Sequence, residues 1–359
     1  MMQKLSILWI ACCCSILISA QNAKKNALVF TDAAALKLMG QAFPLKSYHR
    51  IDTGLHRNFS AGIKNLLTHS AGLTISFKTN SPRIAAKWCV GSDKPSGNNM
   101  AAIASKGLDL YIKKEGKWQF AGVGRPKGVC NEFELVKDME PGEKECLLYL
   151  PLYDAIKSLS IGVEEGYNLS SGSDPFAARR VVIYGSSITQ GASASRPGMA
   201  YPARLSRAMG IQFINLGLSG SGKMEKEVAD MVASIDAEAF IMDCFANPSP
   251  EQIAARTAYM VKAIRAKHPQ APIIMIQSVV RERGNFDLVS RAYVKSQNDN
   301  ALKVYQSLLK EGVSNLHLIP GDQLLGGDHE GTTDGTHPND IGFDRMLQVI
   351  QPALIPILK

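Results

Sequence analysis

The apolar residues of this 359-residue chain follow two different periods, and the change near Arg180 constrains the fold more than any other feature. Before Arg180, segments such as 73–78 and 108–113 alternate apolar and polar residues, with turn-forming residues between them. A period of two with turns every roughly eight to twelve residues is typical of a β-sandwich. We therefore predict an all-β, jelly-roll-like sandwich over residues 21–165, in which only residues 31–40 have a helical pattern.

After Arg180 the apolar runs become continuous, as is typical of strands that are buried on both faces of a parallel sheet. Helical patterns alternate with them. The predicted strands are 181–184, 213–215, 239–242, 272–277 and 316–319, and the predicted helices are 201–209, 223–233, 250–266, 288–310 and 339–357. This alternation predicts an α/β domain with a flavodoxin-like, doubly wound parallel sheet over residues 180–359. Residues 166–179 are rich in turn formers and are predicted to be a linker.

Residues 1–20 have the composition of a signal peptide. Lys4 gives a positive start, an almost wholly apolar run follows over residues 5–18, and small residues end at Ala20. The run is too short for a good membrane span, so we predict cleavage after Ala20 and a secreted or periplasmic protein. The alternative is a surface lipoprotein, cleaved before one of the cysteines at positions 12–14.

The formal net charge of +8 is modest for this length, and Lys and Arg are spread along the chain without a run of five. This distribution argues against a nucleic-acid partner. The later cysteines, at positions 89, 130, 146 and 244, permit disulfides without defining their pairing. None has the Cys-x-x-Cys spacing of a zinc site, so neither a metal nor another cofactor is predicted. The oligomeric state is left open.

Polar residues follow the predicted strands of the second half, at the sheet edge where parallel strands place ligands. A serine nucleophile needs a base whose imidazole is oriented by a carboxylate, and the oxyanion needs fixed donors. We predict Ser187 as the nucleophile, His337 as the general base and Asp334 as its orienting acid. The predicted oxyanion hole consists of the Ser187 and Gly220 N–H groups and the Asn247 amide. Glycine at 220 would let the substrate carbonyl approach the backbone closely.

Four segments of the second half resemble the sequence blocks of the SGNH, or GDSL-type, hydrolases. They are Gly185-Ser186-Ser187-Ile188-Thr189, Asn215-Leu216-Gly217-Leu218-Ser219-Gly220, Phe245-Ala246-Asn247-Pro248 and Asp334-Gly335-Thr336-His337. The resemblance implies a serine hydrolase with the same triad and the same oxyanion-hole residues. Ser186 replaces the usual Asp before the nucleophile, and the third block lacks its leading Gly and trailing Asp. The first departure implies an altered loop geometry or acidity, with catalysis retained.

The first half is similar to the β-sandwich that precedes this catalytic domain in secreted bacterial members, which are thought to act on carbohydrates. The similarity includes Gly107-Leu108-Asp109-Leu110-Tyr111. Trp88, Trp118 and Tyr111 are candidates for stacking on sugar rings, although aromatic residues in strands more often pack in a core.

The predicted function is therefore a secreted serine esterase that acts through an acyl-enzyme, with a small-molecule or polysaccharide ester as substrate. O-acetylated carbohydrate is the expected choice. Two alternatives stay open: a lysophospholipase or thioesterase on the same scaffold, and a non-catalytic carbohydrate-binding protein. The sequence shows no lid-like apolar stretch. Arg281 and Arg283 follow the fourth strand and are candidates for binding an acidic sugar or phosphate, with a surface ion pair to Glu282 as the alternative.

Overall fold

The computed structural model describes residues 27–176 and 179–358, so the predicted signal peptide at 1–20 lies outside the described residues. The strands of the first half are β1 (Leu28–Asp32), β2 (Lys37–Met39), β3 (Thr74–Thr79), β4 (Ile84–Val90), β5 (Leu108–Lys114), β6 (Lys117–Gly124), β7 (Cys130–Val136), β8 (Lys144–Tyr149), β9 (Ile156–Glu164) and β10 (Leu169–Ser171). They form two antiparallel sheets, in the orders β1-β9-β4-β7 and β10-β3-β8-β5-β6, with β2 beside β3. Two helices, α1 (Ala61–Thr68) and α2 (Ala102–Lys106), interrupt the strands.

The two antiparallel sheets pack face to face around one apolar core, which confirms the predicted sandwich. Trp88 lies in this core with 1% of its surface exposed, and its indole N–H donates to the carbonyl oxygen of Lys106 at 2.9 Å. Tyr111 is buried beside Tyr149, and Trp118 is half-buried against the same small cluster. Trp88 and Tyr111 therefore serve packing, and sugar stacking on their rings is excluded by burial.

Residues 31–40 form no α-helix, contrary to the pattern of their side chains. They contain the end of β1, a 3-10 turn at Ala33–Ala35 and β2. The Asp32 carboxylate accepts a hydrogen bond from the Ala34 N–H at 2.9 Å, and the backbone on either side pairs with β9 and β3. Tertiary pairing thus overrides the helix propensity of the alanines. The first α-helix of this half is α1, which begins after the Ser60 cap.

The second half contains a five-stranded parallel sheet in the order β12-β11-β13-β14-β15. Its strands are β11 (Arg180–Gly185), β12 (Gln212–Gly217), β13 (Ala239–Asp243), β14 (Ile273–Ile276) and β15 (Leu316–Ile319). Its helices are α3 (Ser187–Gln190), α4 (Tyr201–Met209), α5 (Lys226–Ala233), α6 (Pro250–Lys267), α7 (Leu288–Lys310) and α8 (Asp340–Leu354). Counted within this half, the strand order is 2-1-3-4-5, which confirms the predicted flavodoxin-like sheet.

The segment expected to be a linker, residues 166–179, contains the strand β10. This strand pairs antiparallel with β3, and Leu169 packs against the sandwich core. The turn formers around it break the strand after three residues, which is why the sequence pattern alone resembles a loop. Among the described residues, no helix is both long enough and apolar enough to cross a membrane.

Part of the first half packs directly on the parallel sheet. Ala42, Ile51, Phe59, Ile63 and Leu67 share one apolar cluster with residues of β11, β12 and β13. The sheet face that these side chains cover would otherwise be exposed to water. The two halves therefore share core as well as surface.

Arg50, which is fully buried, joins the two halves by hydrogen bonds. The Arg50 guanidinium donates to the carbonyl oxygens of Asn215 at 3.0 Å, Gly217 at 2.8 Å, His69 at 3.1 Å and Leu66 at 2.6 Å. Burial lowers the pKa of Arg50 to about 9, and the four carbonyl dipoles take the place of a carboxylate partner. The first two acceptors lie at the carboxyl end of β12, beside the predicted site.

The Gly107–Tyr111 segment also joins the two halves, through an ion pair and a backbone hydrogen bond of Asp109. Asp109, at 0% exposure, accepts from Arg196 at 2.8 and 3.0 Å and from the Gly198 N–H at 2.8 Å. A Cβ at Gly198 would lie 2.5 Å from a ring carbon of Tyr111, so this turn needs glycine to approach the strand. The segment therefore holds the 3-10 turn Pro197–Met199, which follows the nucleophile helix.

The four cysteines in the described part of the chain divide into one disulfide and two thiols. Cys89 and Cys130 form a disulfide between the neighbouring strands β4 and β7. Cys146 and Cys244 are buried free thiols.

Candidate active site

Ser187 lies at the tight turn where β11 ends and α3 begins. A Cβ at Gly185 would collide with the side chain of Thr189, so the turn requires glycine there. The fully buried Ser186 caps α3 by accepting a hydrogen bond from the Ile188 N–H at 3.2 Å. Serine and aspartate are about equally good helix caps, so Ser186 shapes this turn without a carboxylate.

The structure brings the three residues of the predicted triad together. Ser187 Oγ lies 2.8 Å from His337 Nε2, and His337 Nδ1 lies 2.8 Å from Asp334 Oδ2. The other carboxylate oxygen of Asp334 accepts from the backbone N–H groups of Thr336 at 3.0 Å and His337 at 2.8 Å. The loop thus fixes the imidazole so that Nε2 can accept the proton of the serine hydroxyl.

These contacts keep Asp334 ionised. Partial burial raises the pKa of Asp334, but the hydrogen bonds from His337 and Asn99 outweigh it and lower the pKa to about 2. A carboxylate in this state can stabilise the imidazolium that forms when His337 takes a proton.

The loops that carry Gly220 and Asn247 lie against the nucleophile turn. Leu218 donates its N–H to the Gly185 carbonyl at 2.9 Å. Asn247 Oδ1 accepts from the Gly222 N–H at 3.3 Å, which leaves Nδ2 as the free end of its amide. Within the described chain, the Ser187 N–H, the Gly220 N–H and Asn247 Nδ2 donate to no protein acceptor. Three donors are thus available to an oxyanion.

Glycine at position 220 has a structural reason in addition to the predicted approach of the substrate carbonyl, which stays a prediction. Its φ is +69°, a conformation that side chains disfavour, and a Cβ there would meet no protein atom within 4 Å. The backbone conformation itself, rather than crowding by the protein, therefore requires glycine.

The second block supports the turn rather than contacting the triad. Asn215 Nδ2 donates to the Thr189 carbonyl at 2.8 Å, and a Cβ at Gly217 would collide with the backbone of Gln190. Gln190 accepts from the Ser219 N–H at 3.1 Å and donates to His69 Nδ1 at 3.1 Å. Burial, and then the charge of Arg50, lowers the pKa of His69 to about 4, so His69 is neutral and can accept this bond.

A buried carboxyl group lies below the nucleophile turn. Asp243, the last residue of β13, accepts from the hydroxyls of Thr189 and Tyr201, both at 2.6 Å. Burial raises the pKa of Asp243 to about 6, against the effect of these two bonds.

Two contacts of the nucleophile and its partners come from the first half and were missed from the sequence. The Tyr153 hydroxyl donates to the Ser187 carbonyl at 3.3 Å, and Asn99 Nδ2 donates to Asp334 Oδ2 at 2.9 Å. Both residues lie in loops of a half that we predicted as a separate domain. No local pattern marks either residue, so only the packing of the two halves reveals them.

The two arginines after β14 lie beside the loops of the site. Arg281 donates to the carbonyl oxygen of Ala246 at 2.8 Å, next to Asn247. Arg283 donates to the Thr336 hydroxyl at 2.7 Å. Among the described ion pairs, Glu282 pairs with His329 Nδ1 at 2.8 Å, and a pair with either arginine is not observed. Their contact with substrate stays a prediction.

An apolar surface follows these arginines. Phe286, Leu288 and Val289 are 94%, 66% and 81% exposed, and the 3-10 turn before them contacts Gly335 through the Arg283 N–H at 3.3 Å. This surface was missed from the sequence. Among the described residues, no group of three or more His, Cys, Asp or Glu side chains is placed to hold a metal ion.

Comparisons with known proteins agree with this architecture. A sequence model of the GDSL-like lipase/acylhydrolase family matches residues 178–355, and one for the N-terminus of SGNH-hydrolase-type esterases matches residues 28–169. The crystal structure of a protein assigned as a GDSL-like lipase from Bacteroides ovatus ATCC 8483 is 56% identical, with a TM-score of 0.90, covering 92% of this chain and 98% of that one. The chain belongs to the GDSL-like lipase/acylhydrolase family.

More distant structures share the fold of this GDSL family member. The salicylyl-acyltransferase SsfX3 from a tetracycline biosynthetic pathway is 20% identical with a TM-score of 0.67, covering 93% of this chain and 99% of that one. The acetyl xylan esterase Est2A from Butyrivibrio proteoclasticus is 12% identical with a TM-score of 0.57, covering 92% and 98%. No curated protein matches the chain.

Proposed function

We propose that this GDSL family hydrolase is a secreted serine esterase that removes acetyl groups from carbohydrates. The observation that carries the proposal is the hydrogen-bonded series Ser187–His337–Asp334, with 2.8 Å at each step. A serine in this arrangement is activated for attack on an ester carbonyl. The carbohydrate class is supported by the likeness of fold to acetyl xylan esterase Est2A and by the appended sandwich.

In the proposed reaction, Ser187 Oγ attacks the ester carbonyl carbon while His337 Nε2 takes the hydroxyl proton. The oxyanion accepts hydrogen bonds from the Ser187 and Gly220 N–H groups and the Asn247 amide. Collapse breaks the bond to the alcohol oxygen, which leaves with the proton from His337. Water then attacks the acyl-enzyme, gives its proton to His337 and releases the acid, and the proton returns to Ser187.

The first prediction concerns the triad. Ser187→Ala should lower kcat for a small acetyl ester by about 10⁴-fold or more, because no other group can form the acyl-enzyme. Asn247→Ala should lower kcat by about 10²- to 10³-fold through loss of one oxyanion donor. Steady-state rates of the purified variants measure both effects, with Ser221→Ala as the matched control from the loop after β12. Equal rates for wild type and Ser187→Ala would overturn the proposal and favour a non-catalytic protein.

A second candidate, a lipid esterase or thioesterase, is favoured by the exposed side chains of Phe286, Leu288 and Val289. The two candidates differ in acyl length. We expect kcat/KM to fall from acetyl to octanoyl esters of one alcohol, and acetate release from acetylated xylan or pectin to depend on Ser187. A kcat/KM that rises with chain length, and that Val289→Ser lowers for octanoyl esters alone, would favour the second candidate instead.

A further inference from the structure

The loop between β4 and α2 brings a side chain of the sandwich to the triad. This loop, residues 91–101, presents Asn99 to the acid and the base together. Asn99 Nδ2 donates to Asp334 Oδ2 at 2.9 Å and lies 3.2 Å from His337 Nδ1. Asp334 Oδ2 is also the oxygen that faces the imidazole, so one carboxylate oxygen serves both neighbours.

The loop is anchored at several points, so Asn99 is presented on a fixed backbone. Gly91 donates its N–H to Asp154 at 3.0 Å, and Lys106 bridges Asp154 at 3.0 Å and the Ser92 carbonyl at 2.5 Å. The Ser96 and Ser105 hydroxyls contact each other across the loop. These bonds all lie within the sandwich half, apart from the site.

The remaining anchor crosses to the other half. Ser193 Oγ donates to the carbonyl oxygen of Asn99 at 2.8 Å. Ser193 lies three residues after the end of α3, in a left-handed conformation with φ of +68°. The backbone of Asn99 is thus held by Ser193, from the loop that follows the nucleophile helix, while its side chain bonds Asp334.

We propose that Asn99 is a positioning residue that fixes Asp334, and through it His337, so that the sandwich half completes the catalytic site. Without the amide, the carboxylate of Asp334 would keep its backbone bonds on Oδ1 but lose the second donor on Oδ2. Its half-exposed position would then allow water to compete for the oxygen that orients the imidazole. This inference rests on the proposed function, because it assigns Asn99 a task in the same site.

The charges near His337 predict the direction in which loss of Asn99 shifts the pH dependence of activity. A merely structural role of Asn99 would not produce such a shift. The charged groups on its own loop and on the elements bonded to that loop include Asp334, which bonds His337, Arg283, which bonds Thr336, and Asp340, which bonds Ser195 at 3.0 Å. Asn99 is neutral and donates to the carboxylate. Removing this donor leaves the negative charge of the carboxylate less compensated beside the imidazole, which favours the imidazolium.

The test compares Asn99→Ala and Asn99→Asp with wild type in full-length protein. Asn99→Ala should lower kcat by about 10- to 100-fold with little change in KM, as misplacement of a catalytic group does. The acid limb of kcat/KM should move to higher pH, and further for Asn99→Asp, which adds a like charge beside Asp334. Lys94→Ala, in the same loop and without a side-chain contact to the triad, should match wild type.

A second readout does not depend on turnover. The proton between His337 Nδ1 and Asp334 should give a downfield NMR resonance that shifts or broadens in both Asn99 variants and stays unchanged in Lys94→Ala. An unmoved acid limb with an unmoved resonance, in variants that melt like wild type, would overturn the role of Asn99. If the resonance responds but Ser187→Ala retains full activity, the proposed function fails while the positioning contact stands.

Discussion

Asp243 is a single carboxyl group buried under the nucleophile turn, and its titration should be visible in stability. Its pKa is raised to about 6 from an ordinary 3.8, so the protonated form is the one that folding favours. The stability it contributes is complete below pH about 4 and is lost as the pH rises through about 6. The size is about 3 kcal/mol, at about 1.4 kcal/mol per pH unit.

The variant Asp243→Asn removes this titration and can still accept hydrogen bonds from Thr189 and Tyr201. We expect the free energy of unfolding of wild type, relative to Asp243→Asn, to fall by about 3 kcal/mol between pH 4 and pH 7. Urea unfolding at several pH values measures the difference, with the exposed Asp322→Asn as control. A difference that does not change with pH would contradict this assignment.

Single residues were predicted from the sequence where their neighbours lie in a short motif. Ser187 and His337 each belong to a block of four or five residues, and their 2.8 Å contact follows from strand ends that share one sheet edge. Asn99 could not be predicted, because its partner Asp334 lies 235 residues away, in a loop of the other half. Gly220 was predicted from the sequence as an oxyanion donor, but its left-handed backbone conformation became evident only from the structure.

Strand β5 contacts the catalytic half at the 3-10 turn that begins at Pro197. Asp109 is fully buried, and Arg196 is 21% exposed, so the ion pair is shielded from water. Removing one partner of such a pair leaves an uncompensated charge and costs about 3–5 kcal/mol. We expect Asp109→Asn to lower the free energy of unfolding by this amount, whereas Asp230→Asn, in an exposed pair with Lys226, should cost about 1 kcal/mol or less.

Denaturant unfolding of the two variants measures this contrast, and a double-mutant cycle with Arg196→Met tests the coupling. Equally small losses of unfolding free energy for Asp109→Asn and Asp230→Asn would contradict the stabilising role of the Asp109–Arg196 ion pair. The cycle also separates loss of the pair from strain at the Gly198 turn.

At the level of elements, periodicity predicted the parallel sheet closely. The helix 288–310 and the strand 316–319 have the bounds that the pattern predicts. Residues 31–40 show where it fails, because alanine-rich segments favour helix only until a neighbouring strand offers pairing. The short strand β10 was hidden among turn formers for a related reason: three residues are too few to show a period.

Across the whole molecule, the two halves are consecutive in sequence but not independent in packing. The sequence indicated their order and their periods. It could not show that the apolar face of α1 covers the parallel sheet, because an amphipathic helix pattern reveals a buried face but not the partner. The same limit hid Arg50, whose acceptors are backbone carbonyls and leave no signature in side-chain sequence.

We therefore expect residues 179–359 alone to fail to fold into a stable catalytic unit, because they would expose the sheet face that Ile51, Phe59, Ile63 and Leu67 cover. Circular dichroism melting and binding of a hydrophobic dye to the purified fragment measure this. A fragment that melts cooperatively and hydrolyses an acetyl ester as fast as the full chain would contradict the expectation. Co-expression with residues 21–176 is the control for recovery.

The contacts of Arg50 also bear on how such a protein can change over evolution. The guanidinium belongs to one half and two of its acceptors to the other, so neither half carries a complete solution to burying the charge. A recombination that replaced one half by that of a distant homologue would leave either a cation or two carbonyl groups without partners in the interior. The two halves should accordingly be inherited as a pair, and working chimeras should require parents that share this arginine.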